Sequence, residues 1–588
     1  MKLATRKFVL ACTPLCAMLL PFPSSAECKR AAIDLPVTIS GTRPLIDAKI
    51  NGQDVRLLVD SGAFFGTMSE AMAQQLKLKL GPAPFGLSVR GIGGSAAVSI
   101  GTTKVFTIGN ADMPHVEFLV GGSEAGGGSS GLLGQNFLAN WNVEYDLAKG
   151  MIRLFKDTDC SKQFLAYWAL QNPERVTVTS IDKVTPRSPL AIGHAFVNGE
   201  RIRVVFDSGA SKSMLSLKAA QRAGLKLDSP DVTDGGEISG FGSHLLKSYV
   251  APFASFKFAD GEEIKNARLR VADFNLDTAD MLVGADFFLS HRIFIANSQE
   301  KVYFTYNGGP VFDLRNTAKP VSAESASGEV PEDAAALARR GVASTGRGDY
   351  DHALADLTRA TELAPDNAEY VYQRGQVYAS KKDYEKSIAD YDHALQLKPE
   401  FVPALMNRAQ LHIEMRQVPE ARVDLEAVDR IAAKQADIRY EMAEAYERAG
   451  LFRLAIAQFD FWIESHPEDG RVAFALSDRC RARGVLGQDL PAALKDCDTA
   501  VNRSGKQVGG GVLANRALVR YRLGDYDKAM SDYDAALKLQ PNNAWALYGR
   551  GLAKLKKNHP AEGDKDMAEA AKIAPNVVDG YKRMGLSP

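Results

Sequence analysis

The sequence predicts a multidomain chain, with two tandem, mainly β units forming one all-β body and an all-α solenoid after them. Three observations carry this reading. "INGQDVRLLVDSGA" (50–63) aligns without gaps with "VNGERIRVVFDSGA" (197–210), so Ile50 falls on Val197 and Asp60 on Asp207, both at a shift of 147 residues. A period of 34 runs through the C-terminal half and sets Pro365 against Pro399, Pro541 against Pro575 and Tyr350 against Tyr384. Between the two regions, Asn307 to Glu332 loses all pattern and becomes rich in Gly, Pro, Ser and Ala, as a linker does.

The N-terminus reads as an export signal over residues 1–26. Lys2, Arg6 and Lys7 precede an apolar run from Phe8 to Leu20, and Ser24-Ser25-Ala26 offers a cleavage site. A retained anchor is the alternative, but the run is short for a span of ~20 residues and carries Pro14. No later stretch reads as a membrane span. Lys+Arg and Asp+Glu both number 71 in the 588 residues, a balance that argues against a nucleic-acid or anionic-membrane partner. Four cysteines follow the signal: Cys28, Cys160, Cys480 and Cys497. An even number in an exported chain suggests disulfides. Of the three connectivities, local pairing (Cys28–Cys160 and Cys480–Cys497) is expected, with four free thiols as the alternative. No CxxC pair or Cys/His cluster is present, so no metal and no cofactor is expected.

The two β units are placed at 30–160 and 172–308. Their register continues past the opening match: Ser69, Ala73, Gln74 and Leu78 fall on Ser216, Ala220, Gln221 and Leu225. "RGIGGS" (90–95) parallels "SGFGSH" (239–244), and "GLLGQNFL" (131–138) parallels "MLVGADFF" (281–288). Asn51-Gly52 and Asn198-Gly199 suit tight hairpin turns, and strand-like alternation closes each unit. An acid at the end of an apolar strand is costly unless something uses it. A lone Asp-Ser-Gly is usually a turn or a cap. The same tripeptide twice, in register with two further glycine motifs, is specific.

This constellation resembles the retropepsin-like aspartic protease family over roughly residues 33–306. The resemblance implies that each unit gives one catalytic aspartate, Asp60 and Asp207. It also implies that Ser61, Gly62, Ser208 and Gly209 support the two active-site loops, and that Gly91, Ile92, Gly93, Gly240, Phe241 and Gly242 belong to flap hairpins over the substrate. With both units in one chain, an intramolecular pseudo-dimer is expected, and pairing between two chains is the alternative. Two carboxylates at about 3 Å cannot both ionise, so they share a proton and divide the work of base and acid. The chain departs from the family pattern in having Asp-Ser-Gly where Asp-Thr-Gly is commoner and a glycine-rich stretch at 121–131. Phe64-Phe65 after one loop stands against Ser211-Lys212 after the other, so the cleft is expected to be asymmetric. "GIGGSA" (91–96) fits a dinucleotide fingerprint, but strand-like sequence follows it where a helix is needed. The function expected is that of an aspartic endopeptidase acting on a protein or peptide substrate. The competing class is a non-catalytic peptide-binding scaffold.

After a linker at 309–331, the region 332–588 repeats "GDYDHAL" (348–354), "KDYEKSI" (382–388) and "GDYDKAM" (524–530), with weaker copies near Val418, Leu451, Asp489 and His559. It resembles tetratricopeptide repeats, about seven of them, which implies a solenoid with a concave face for a protein partner. Arg374, Asn407 and Arg516 are candidates for that face, and a spacer or dimerisation module is the alternative. The fusion resembles periplasmic retropepsin-like proteases of Gram-negative bacteria, which implies a periplasmic location.

Overall fold

The computed structural model describes residues 28–83, 88–91, 94–121, 129–158, 160, 163–185, 189–238, 246–258, 261, 263–276, 278–308, 311–312, 333–467, 469, 471–504 and 508–588. The expected export signal, most of the 309–331 linker and residues 122–128 of the glycine-rich stretch lie outside them.

Each β unit is built around one hairpin: Arg43–Ile50 with Gln53–Val59, and Ile192–Val197 with Glu200–Phe206. The Asn-Gly turns need two consecutive left-handed residues. Asn51 and Gly52 sit at φ +52° and +82°, and Asn198 and Gly199 at +49° and +82°. Each Asn side chain then donates to the C-terminal end of the unit's short helix, Asn51 to the Leu76 carbonyl (2.9 Å) and Asn198 to that of Ala223 (3.0 Å). Those helices, Glu70–Gln75 and Leu217–Arg222, are capped by the duplicated Ser69 and Ser216. A short strand, Gly131–Leu133 or Met281–Val283, lies parallel to the second hairpin strand and buries it on its far side.

The two units meet in one sheet. Strand Asn142–Asp146 of the first pairs antiparallel with His291–Ala296 of the second, setting Tyr145 opposite Ile293. Met151–Thr158 and Lys29–Ser40 extend the sheet on one side, Lys301–Tyr306 and Thr177–Ser180 on the other. One apolar core runs under both units, joining Leu57 and Val59 to Val204, Phe206 and Phe288. Cys28 is disulfide-bonded to Cys160, where the segment joining the units leaves the sheet. That segment folds back on the sheet through Trp168, whose indole N–H donates to the Thr305 hydroxyl (3.1 Å).

The C-terminal region is a tetratricopeptide solenoid of helical pairs, from Ala334–Arg347 with Tyr350–Leu363 to Ala544–Lys556 with Pro560–Ile573, closed by Asn576–Arg583. The repeated Gly-Asp-Tyr explains its own helix boundary. Gly348 and Gly524 end one helix in the left-handed conformation, and Asp349 and Asp525 cap the next. Small residues recur where helices touch: a Cβ on Gly341 would crowd Leu357, and one on Gly375 would crowd Tyr391. Cys480 and Cys497 are bonded across one pair, Val472–Leu486 and Leu490–Ser504.

An arginine on the first helix of most pairs forks onto an aspartate of the second. Arg340–Asp356, Arg374–Asp390, Arg408–Asp424, Arg479–Asp496, Arg516–Asp532 and Arg550–Asp566 are all bidentate. Arg374 and Arg516, read from sequence as candidates for the concave face, are therefore spent inside the repeats. A periodic arginine reads the same in sequence whether it faces a partner or the next helix. In the fourth pair, Ile438–Arg448 with Phe452–Ser465, Met442 and Gln458 replace the arginine and the aspartate.

The array is anchored to the body. Ala343, in its first helix, is fully buried in the β core, and Arg347 Nη1 donates to the Leu289 carbonyl (3.5 Å).

Asp532 holds both Arg516 and Arg520 and is itself 6% exposed. Asp532→Ala is expected to cost about 2 kcal/mol, because it removes the bidentate partner of Arg516 and leaves both guanidinium groups only Asp498, at 3.1 and 3.7 Å. Urea unfolding followed by helical circular dichroism measures this, with exposed Leu539→Ala as the control that stays within about 0.5 kcal/mol.

Candidate active site

Strands Gln53–Val59 and Glu200–Phe206 end in fully buried Val59 and Phe206, and the next residue in each is the acid. The parallel strand beside each one fixes where the acid begins. Asp60 N donates to the Leu133 carbonyl (3.1 Å) and Asp207 N to that of Val283 (2.9 Å). The chain then turns back on the carboxylate. Asp60 Oδ1 accepts from the Gly62 and Ala63 amides (both 2.9 Å), and Asp207 Oδ1 accepts from those of Gly209 (3.0 Å) and Ala210 (2.9 Å).

Ser61 and Ser208, both fully buried, lock the two loops together. Ser208 N donates to Ser61 Oγ (2.9 Å), and Ser61 N donates to Ser208 Oγ (3.1 Å). Each hydroxyl donates onward to the last carbonyl of the opposite strand, Ser61 to Phe206 and Ser208 to Val59, both at 2.7 Å. Gly62 and Gly209 are required by close approach and not by backbone angle. A Cβ on Gly62 would overlap the Asp207 carboxyl, and one on Gly209 the Asp60 carboxyl.

The two carboxyls hydrogen-bond each other inside this one chain. Burial pushes both above the usual carboxylate range. Asp207 is pushed further because the Asp60 charge adds to burial, while the Asp60 carboxylate is partly relieved by its bond to Asp207. The pair thus favours a state that keeps at least one proton and titrates as a unit.

Two supports were not legible in the sequence, and a third left a signal there. Tyr145 lies fully buried beneath the lock, with its hydroxyl against the Ser61 and Ser208 hydroxyls and its ring edge-on to Phe288 at 5.0 Å. The matching position in the second unit is Ile295, so the duplication gave no signal for it. Gln135 Nε2 donates to the Ser61 carbonyl (2.8 Å), where the second unit has Ala285. Behind each loop an Asn or Asp accepts a loop amide: Asn136 from Gly66 (2.7 Å) and Asp286 from Ser213 (2.8 Å). The motif "GQNF" against "GADF" carried that last signal, since Asn and Asp share the acceptor oxygen.

Phe64 and Phe65 follow the first loop at 36% and 37% exposure. Ser211 follows the second and accepts at its carbonyl from the Thr42 hydroxyl (3.0 Å). Of the flap residues, Gly91 ends strand Ser88–Gly91, which pairs with Gly94–Ala97. Ile92, Gly93, Gly240, Phe241 and Gly242 lie outside the described residues.

The family model for a gag-polyprotein putative aspartyl protease matches residues 46–140, and the aspartyl protease model matches 194–287. Tetratricopeptide models match 345–400 and 517–558. The chain is an aspartyl-protease-like body fused to tetratricopeptide repeats. Each protease model covers one of the two loops that the serines join. Similar proteins include the Hsp70-Hsp90 organizing protein of Triticum aestivum, 28% identical over 23% of this chain, and U-box domain-containing protein 70 of Oryza sativa subsp. japonica, 26% identical over 23%. The matches span only 22% and 16% of those proteins. Among solved structures, a tetratricopeptide repeat protein from Parabacteroides merdae is 17% identical, covering 42% of this chain and 97% of its own, with a TM-score of 0.34. Yeast Tom70 is 19% identical, covering 43% and 52%, with a TM-score of 0.27.

Ser208→Ala removes the acceptor of Ser61 N and the donor to the Val59 carbonyl, and is expected to cost about 2–4 kcal/mol of stability in urea. The buried acids set the pH dependence. Unfolded, each releases its proton near 3.8; folded, both hold protons to higher pH, so the native state binds more protons and loses stability as pH rises above about 4. Asp207→Asn is expected to be more stable than wild type at pH 7, with the gap closing towards pH 3.5.

Proposed function

We propose that the protein is an aspartic endopeptidase whose dyad, Asp60 and Asp207, hydrolyses peptide bonds in a segment recruited by the array. The observation that carries this reading is the mutual hydrogen bond of two buried carboxyls held by a reciprocal serine lock within one chain. In the mechanism, a water between the carboxyls loses a proton to the charged member and attacks the scissile carbonyl carbon. The protonated member gives its proton to the carbonyl oxygen. The tetrahedral adduct collapses as a proton passes to the leaving nitrogen, and the C–N bond breaks.

Phe64 and Phe65 on one side, with Ser211 and Lys212 on the other, favour a substrate whose apolar side chain lies on the first-unit side. The array's interaction role supports recruitment of a protein rather than a free dipeptide. The disulfides Cys28–Cys160 and Cys480–Cys497 support export to an oxidising compartment, which we take to be the periplasm.

Asp60→Asn and Asp207→Asn are each expected to lower cleavage of unfolded casein between pH 4 and 7 by about a hundredfold or more. An equimolar mixture of the two variants is expected to stay inactive, because each molecule needs both acids in its own cleft. Equal cleavage by wild type and variants would overturn the enzymatic reading. Recovery of activity on mixing would overturn the single-chain dyad.

A further inference from the structure

The array holds a cavity of about 510 Å³ between its helices Val402–Glu414, Ile438–Arg448 and Val472–Leu486. Four carboxylates line it, Glu441, Glu444, Glu447 and Asp478, against two guanidinium groups, Arg448 and Arg481. Arg448 is turned towards the first wall, where it donates to Gln410 (2.5 Å). Arg481 reaches only one Glu447 oxygen, Oε2, at 2.5 Å. The other, Oε1, is buried without a hydrogen-bond partner, on a side chain only 5% exposed. A buried carboxylate oxygen with nothing donating to it is costly. Asp478 has only the charge of Arg481 to oppose its own.

The cavity also lies at the fourth helical pair, where the arginine of the other pairs is replaced by Met442. The repeated aspartate is replaced there as well, by Gln458, which Arg439 holds instead, so the four lining acids face only Arg448 and Arg481 among the cavity's lining residues. Burial and the neighbouring acids raise Glu447 to about 8, and burial raises Asp478 to about 6. One guanidinium, that of Arg481, serves both acids, and a cationic guest would add a second counter-charge. Among the described residues no His/Cys/Asp/Glu group could hold a metal ion, and the cavity is too large for a bare cation. Its size suits a long side chain carrying its charge at the tip.

We propose that this cavity binds a lysine or arginine side chain of an extended segment of a partner protein, so that the array selects basic sequences. The proposal rests on the array's interaction role and deepens the recruitment step of the proposed function.

The test uses the full chain carrying Asp60→Asn, so that binding is read without cleavage, with fluorescent hexalysine and hexaglutamate peptides followed by anisotropy at low salt. Hexalysine is expected to bind, hexaglutamate not to bind, and the Glu444→Gln/Asp478→Asn double variant to weaken hexalysine at least tenfold. Asn407→Lys, which plants a cation in the cavity wall, is expected to block hexalysine and to raise the thermal midpoint of the array. That variant keeps the test decisive if the double variant folds poorly. Hexalysine binding unchanged by Asn407→Lys, or hexaglutamate binding equally well, would overturn the proposal. Casein cleavage by the chain with Asp60 intact is read separately. An inactive wild type that still binds hexalysine leaves the cavity's role standing, and an active one that ignores hexalysine leaves the protease standing.

Discussion

The exchange of hydrogen bonds between Ser61 and Ser208 is the constraint on which the rest of the body depends. Each hydroxyl accepts the other loop's amide and donates to the other strand's last carbonyl, so neither loop is complete without its counterpart. Two buried acids repel unless a proton is shared, and sharing needs their oxygens within hydrogen-bond reach. The lock supplies that reach, and Gly62 and Gly209 allow it by leaving no Cβ in the way. The continuous sheet through Asn142–Asp146 and His291–Ala296 serves the same end from below. It fixes the distance between the units beneath the loops.

Much of this was legible because the chain contains its own alignment. The gapless match of 50–63 with 197–210 singled out Asp60 and Asp207 and both serines, and the Asn-Gly pairs gave the hairpins. What stayed hidden lies where the copies differ. Tyr145 faces the lock from one unit only, and its partner position, Ile295, is simply core. Gln135 against Ala285 is hidden in the same way. A duplication reports what both halves need and is silent on what one half supplies for both.

In the array, the repeat period was plain while the use of its charges was not. The same periodic arginines could have faced a ligand or the adjoining helix, and sequence spacing cannot tell the two apart. The structure places them against aspartates one helix away. Once those cations are paired internally, the surface left over is acidic at the fourth pair, a consequence invisible in a net charge of zero.

The burial of Ala343 in the core of the β body reaches further than packing. A helix that shares a core with the two β units has no hinge at its joint with them, so the start of the solenoid keeps one separation from the cleft. If the dyad cuts as proposed, the cleft works as a ruler. A polypeptide held at one point on the array and drawn into the cleft would be cut at a set reach from that point, which makes the position of the scissile bond a matter of length as well as of local sequence.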